Sequence, residues 1–203
     1  MPDVPQRLSQ PKLLIGEGRE DVLFFTAFLK HLHLNDVQIA DYGGKYQLRS
    51  YLRALLLRPD FTQLVSLGIV RDADTDATSA FQSVSGALHD LGLPVPDIPG
   101  QVAGVTVRVG VWIMPDGQGP GMLEDLCLAA VQNDLAMPCV DDYFMCLFHN
   151  SQNQPNNLAK ARVHAWLASR IEPDLRLGEA AAKGYWPWDS ATFEPIKTFL
   201  QAL

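Results

Sequence analysis

Four short apolar runs, each followed by a stretch of helical periodicity, constrain this chain more than any other feature. Lys12-Leu13-Leu14-Ile15-Gly16 is too short for a helix and does not alternate, so it reads as a strand buried on both faces. Val22, Phe25, Leu29 and Leu32 then recur at helical spacing within 20–34. The pattern repeats as a strand over 37–40 with a helix over 45–57, then a strand over 64–70 with a helix over 77–91. A loop rich in Pro and Gly over 93–104 leads to a strand over 105–114 and a helix over 122–132. This alternation predicts an α/β fold, a mostly parallel sheet of about four strands with helices on both faces and right-handed crossovers.

After residue 136 the strand signals stop. Segments 141–149, 158–171, 177–183 and 191–203 read as helices, the last with Phe193, Ile196, Phe199 and Leu200 on one face. The expected organisation is an α/β domain over 12–135 and a helical extension over 136–203 packed on it, docked by Tyr185, Trp186, Trp188 and Phe193. A length of 203 residues suits one such unit. Residues 1–11 read as a loose leader, and 151–157 as a polar loop. No apolar run is long enough to cross a bilayer, and the first residues have no apolar signal core. Cys127, Cys139 and Cys146 are odd in number and form no CxxC, so they read as reduced thiols. A cytoplasmic location is expected.

In a parallel sheet of this kind, ligands bind beyond the carboxyl ends of the strands. Glu17-Gly18-Arg19-Glu20-Asp21 follows the first strand and Gly43-Gly44-Lys45 the second. Arg71-Asp72-Ala73-Asp74-Thr75-Asp76 follows the third, and Pro115-Asp116, a glycine turn and Glu124-Asp125 follow the fourth. The chain has 23 acidic residues against 16 Lys and Arg, a formal charge of −7, which excludes a generic basic coat for nucleic acid. Glu17, Glu20, Asp21, Asp72, Asp74, Asp76, Glu124 and Asp125 concentrate that charge at one sheet edge. Glu20, Asp76 and Asp125 are placed to favour helix N-termini. Glu17, Asp72 and Asp74 sit on the strand ends, where hard oxygen ligands can share a divalent cation such as Mg²⁺ or Mn²⁺. Lys45, Arg49 and Arg53 recur every four residues and are expected on one face of the second helix, as a nucleic-acid-binding stripe.

An apolar strand closed by Glu17-Gly18-x-x-Asp21, and a later one closed by Asp72-Ala73-Asp74, resembles the Toprim domain. Gly43-Gly44-Lys45 and Gly121-Met122-Leu123-Glu124 are similar to its OLD-group nuclease branch. The chain is most like the small bacterial Toprim-like proteins that carry the domain with a short helical tail. The resemblance spans about 12–132. It implies Mg²⁺ (or Mn²⁺) bound by Glu17, Asp72, Asp74 and Glu124, with Glu17 and Lys45 as catalytic groups, and phosphoryl transfer on nucleic acid, as in a nuclease. The alternative is a non-catalytic metal-binding Toprim module that binds nucleic acid or a protein partner. No GxxxxGK[ST] occurs, and three scattered cysteines build no zinc module, so a complete OLD protein and a primase are not expected. Asp72-x-Asp74 also occurs in haloacid-dehalogenase phosphatases, but there it closes the first strand, whereas two strands precede it here.

Overall fold

The computed structural model describes residues 7–151 and 154–203. Four parallel strands, β1 (Lys12–Gly16), β2 (Val37–Asp41), β3 (Ser66–Asp72) and β5 (Arg108–Met114), and a short antiparallel edge strand β4 (Val102–Ala103) form one sheet in the order β2-β1-β3-β5-β4. The expected α/β architecture is therefore present. Helices α1 (Arg19–His31), α2 (Leu48–Leu56), α3 (Ala77–Asp90) and α4 (Leu123–Ala130) follow the parallel strands. From β1 the chain moves outward to β2 in one direction and then to β3 and β5 in the other. The β1/β3 boundary is thus the topological switch point.

Alternation along the strands sorts the core into two layers. Leu13, Ile15, Leu67, Ile69, Val109, Val111 and Ile113 face α2 and α3. Leu14, Val70, Trp112 and Met114 face α1, α4 and the helices of the last third of the chain. Those are α5 (Met137–Asn150), α6 (Leu158–Leu167), α7 (Leu177–Ala182) and α8 (Glu194–Ala202). Gly68 and Gly110, paired across β3 and β5, leave a slot in this second face. A Cβ on Gly68 would lie 2.5 Å from Leu203 Cδ1, and one on Gly110 2.7 Å from Phe199 Cε2. Arg108 also donates to the Leu203 carbonyl. The helical extension is therefore the outer layer of the sheet itself. Trp188 and Phe193 pack on Phe28 of α1, with centroids 4.9 and 5.5 Å away, while Trp186 stacks on Trp166 within the extension at 4.9 Å.

Several boundaries differ from the sequence reading. The segment 93–104 is not all loop and the last parallel strand starts at Arg108, because Val102 and Ala103 pair with Gly110 and Val109. The turn between them passes through Gly104, at φ +96°, which leaves Val105 exposed. Helix α2 begins at Leu48, so Lys45 does not belong to it. The chain first turns through Gly43 (φ +81°) and Gly44 (φ +101°), and Gly44 N–H donates to the Glu17 carbonyl at 2.8 Å. The expected single helical stripe of Lys45, Arg49 and Arg53 is therefore not formed. Helix α6 stops at Leu167, where Ser169 Oγ donates to the Trp166 carbonyl. Of the leader, residues 1–6 lie outside the described residues, as do 152 and 153 of the polar loop. No helix among the described residues is long and apolar enough to cross a membrane.

Candidate active site at the switch point

Glu17 leaves β1 on the α2/α3 side of the edge. Its Oε1 lies 3.8 Å from Nε of Arg71, and neither atom has a hydrogen-bond partner although both are buried. Arg71 is 5% exposed and shares its wall with α3, where its Nη1 donates to Ser83 Oγ at 3.0 Å. Burial raises the Glu17 pKa, Arg71 opposes that rise, and Asp74 adds to it. Tyr42, which follows β2, is buried beside this group, and burial together with Glu17 raises its phenol pKa.

Asp72 ends β3 and points to the other side, where the backbone N–H of Leu123 at the start of α4 donates to its Oδ1 at 3.1 Å. Burial, followed by the charges of Asp21, Glu17 and Glu124, pushes its pKa up to about 8. Asp21 accepts the Gly18 N–H at 2.9 Å, and burial, with Glu17 and Glu124 adding to it, pushes its pKa up to about 6. Gly16 is required beneath it, since a Cβ there would sit 2.5 Å from the Asp21 Cβ. Glu124, in the first turn of α4, is likewise raised by burial. Lys160 of α6, 3.8 Å away, holds it partly down. Asp72 thus stands where two groups of carboxylates meet.

Asp74 follows two residues later with φ +54°, locked by paired backbone hydrogen bonds to Gly121. Its Oδ2 accepts from Lys45 Nζ at 2.5 Å, and this bond raises the Lys45 pKa. Lys45 reaches it from the Gly43-Gly44 turn. Arg49 pairs with Asp90 of α3 at 2.8 Å, while Arg53 is exposed farther along α2.

The structure thus brings Glu17, Asp72, Asp74, Glu124 and Lys45 to the same edge and leaves Arg53 outside it. Glu20 and Asp76 serve helix ends: Glu20 accepts the Gly178 N–H of α7, and Asp76 caps α3 through Thr78 and Ser79. Asp125 accepts the Met122 N–H at 2.9 Å. Two residues of the site have no role in the sequence reading: Asp21 ends Glu17-Gly18-x-x-Asp21 but resembles an ordinary first-turn acid, and Arg71 reads as the first residue after an apolar strand. Lys160 is a candidate from the sequence, as a cation of the tail able to reach over the site, and the structure sets it 3.8 Å from Glu124. Among the described residues, no three His, Cys, Asp or Glu side chains are close enough together to enclose a metal ion as they stand.

Fold and edge together define a parallel α/β protein with a crowded acidic site at its switch point. Residues 11–203 match the family model described as "Protein of unknown function (DUF3226)", and the chain belongs to that family. Solved structures similar to it include the C-terminal region of the OLD protein of Xanthomonas campestris pv. campestris. The form phased with iodine is 11% identical, with a TM-score of 0.46, over 97% of this chain and 97% of that one. The form phased with platinum is 12% identical, with a TM-score of 0.43, over 95% of each chain. No curated protein matches the chain in sequence.

Proposed function

We propose that the chain is a Toprim-like, Mg²⁺-dependent (or Mn²⁺-dependent) enzyme of phosphoryl transfer on nucleic acid, a nuclease in the simplest case. The observation that carries this reading is the gathering of four largely buried carboxyl groups, Glu17, Asp21, Asp72 and Glu124, at the switch point: burial raises each of their pKa values, and at Asp21 and Asp72 the charges of their neighbours in the set add to it. Carboxylates held out of water and, at Asp72, against one another are what a hard divalent cation neutralises. The buried, unpartnered Glu17 Oε1 is a donor atom of the right chemistry.

Glu17, Asp72 and Asp74 would hold one ion, with Glu124 a ligand for it or for a second. Glu17 and Asp74 face Arg71 and Lys45 in this structure and Asp72 points to the α4 side, so gathering the set means turning Glu17 and Asp74 away from those cations and toward Asp72. The metal, when bound, activates a water and offsets charge on the leaving oxygen. Glu17, whose pKa burial raises, is the group suited to accept and return a proton. Lys45, once free of Asp74, donates toward a phosphate oxygen.

The formal charge of −7 favours a second reading, a module that binds metal and a nucleic-acid or protein partner without turnover. A cleavage assay on single-stranded DNA, duplex DNA and RNA, with Mg²⁺ or Mn²⁺ and with chelator, decides between them. The enzyme reading expects metal-dependent cleavage abolished by Glu17→Gln and Asp72→Asn. Metal-dependent stabilisation without cleavage of any substrate would leave the binding module. No response to metal in either assay would remove both.

A further inference from the structure

A recess of about 340 Å³ opens between α2 and α3 beside the acidic edge. Lys45 and Arg49 line it, together with Ser83, Gly86 and Asp90, and Arg71 closes its inner end. Arg71 and Ser66 are the buried polar or charged residues among the described ones, and only Arg71 carries a charge. A buried guanidinium is normally held by several acceptors. Here Nη1 meets Ser83 Oγ, while Nε meets nothing within hydrogen-bonding reach and the nearest carboxylate, Glu17, stays 3.8 Å off. The fork is held in place with donor capacity unused, which is the condition for binding a planar or tetrahedral oxyanion.

We propose that this recess is the phosphate subsite of the acidic edge, with Arg71 as its inner donor and Lys45 and Arg49 as its rim. The inference rests on the reading of the edge as a phosphoryl-transfer site and names where a phosphate group of the bound nucleic acid goes. The rim pairs Lys45–Asp74 and Arg49–Asp90 are each about two-fifths exposed or more, and pairs of that kind exchange partners at little cost. A cation that draws Glu17 and Asp74 to itself strips Arg71 and Lys45 of their carboxylates at the same moment. Divalent metal and phosphate therefore bind with positive cooperativity, each favouring the arrangement the other needs.

Gly86 supplies a clean test. It lines the recess from α3, and a Cβ there meets nothing within 4 Å, so Gly86→Leu puts a side chain into the space while leaving every charged residue of the recess in the sequence. Calorimetric titrations of the full chain use inorganic phosphate, an oligonucleotide with a terminal phosphate, and the same oligonucleotide without it, each with Mg²⁺ and with chelator. Expected are phosphate binding that Mg²⁺ strengthens and a loss of at least about tenfold in Gly86→Leu. Arg71→Lys, which keeps the charge but not the fork, should lose a similar amount. A preference for the phosphorylated end that Gly86→Leu abolishes assigns the recess to a strand terminus. Equal weakening of both oligonucleotides assigns it to a backbone phosphate. Unchanged affinities in a folded Gly86→Leu overturn the subsite. Cleavage of the unphosphorylated strand, followed in parallel, separates the two readings. If the wild type cleaves nothing yet loses phosphate binding in Gly86→Leu, the phosphoryl-transfer assignment falls and the anion site stands. If Gly86→Leu cleaves and binds as the wild type does, the reverse holds.

Discussion

Replacing Asp72 by Asn should make the metal-free protein more stable. The Asp72 carboxyl releases its proton near pH 3.8 in the unfolded chain and only near pH 8 in the folded one. Between those values the unfolded state has lost a proton that the native state still holds, so stability falls as pH rises from about 4 to about 8. At 1.36 kcal/mol per pH unit the full span is on the order of 6 kcal/mol, and screening at a partly open edge brings the usable figure to about 2 kcal/mol. Asn keeps an oxygen for the Leu123 N–H and has no proton to lose. In a domain of this size about 2 kcal/mol moves the melting temperature by roughly 4–8 °C. Thermal and urea unfolding in chelator at pH 7 should therefore rank Asp72→Asn above the wild type, with the gap closing toward pH 4. Mg²⁺ should reverse the order, since only the wild type gains a tight ligand. A variant that melts lower than the wild type at pH 7 in chelator would show that the carboxylate is satisfied where it stands, and the frustration argument would fail.

Apparent metal affinity should rise with pH up to about 8, with protons released on binding, because Asp72 must ionise to serve as a ligand; calorimetry in buffers of different ionisation heat counts those protons. Lys45→Ala combined with Arg49→Ala should flatten the log–log salt dependence of oligonucleotide binding by about two, at roughly 0.9 per phosphate contact, while Arg53→Ala leaves it unchanged. Gly110→Val should cost about 1–3 kcal/mol in urea unfolding, since Phe199 already occupies the space of a Cβ. Gly178→Ala should destabilise too, because its Cβ would fall 2.5 Å from that of Leu23, where α7 meets α1.

What the sequence disclosed follows the range of the forces involved. The strands were legible because each buried face demands apolar side chains, and Leu13 to Ile15 or Val109 to Met114 can satisfy that in no other way. The acids at the strand ends were legible because Glu17 and Asp72 have no local reason to interrupt an apolar pattern. The start of α2 was not, since Lys45 continues the helical spacing and only the positive φ of Gly43 and Gly44 shows that the chain turns first. The two-residue strand β4 depends on pairing with β5, a partner no local window contains. Arg71 reads from the sequence as the start of the loop after the strand for a related reason, yet β3 runs on through Asp72, which fixes Arg71 toward α3 and Asp72 toward α4.

The slot formed by Gly68 and Gly110 sets the order in which this protein can be made. Strands β3 and β5, which form the slot, are made before the residues that fill it, Phe199 and Leu203. Helices α1 and α4 cover part of that side of the sheet as they form, but the slot and the neighbouring Trp112 stay open to water or to a chaperone until α8 arrives. Settlement of that side is a late event by topology, because its covering contacts are long-range, Arg108 and Leu203 being 95 positions apart. A nascent chain stalled ahead of α8 would present an apolar sheet surface, and its fate would be capture or aggregation rather than a smaller working protein.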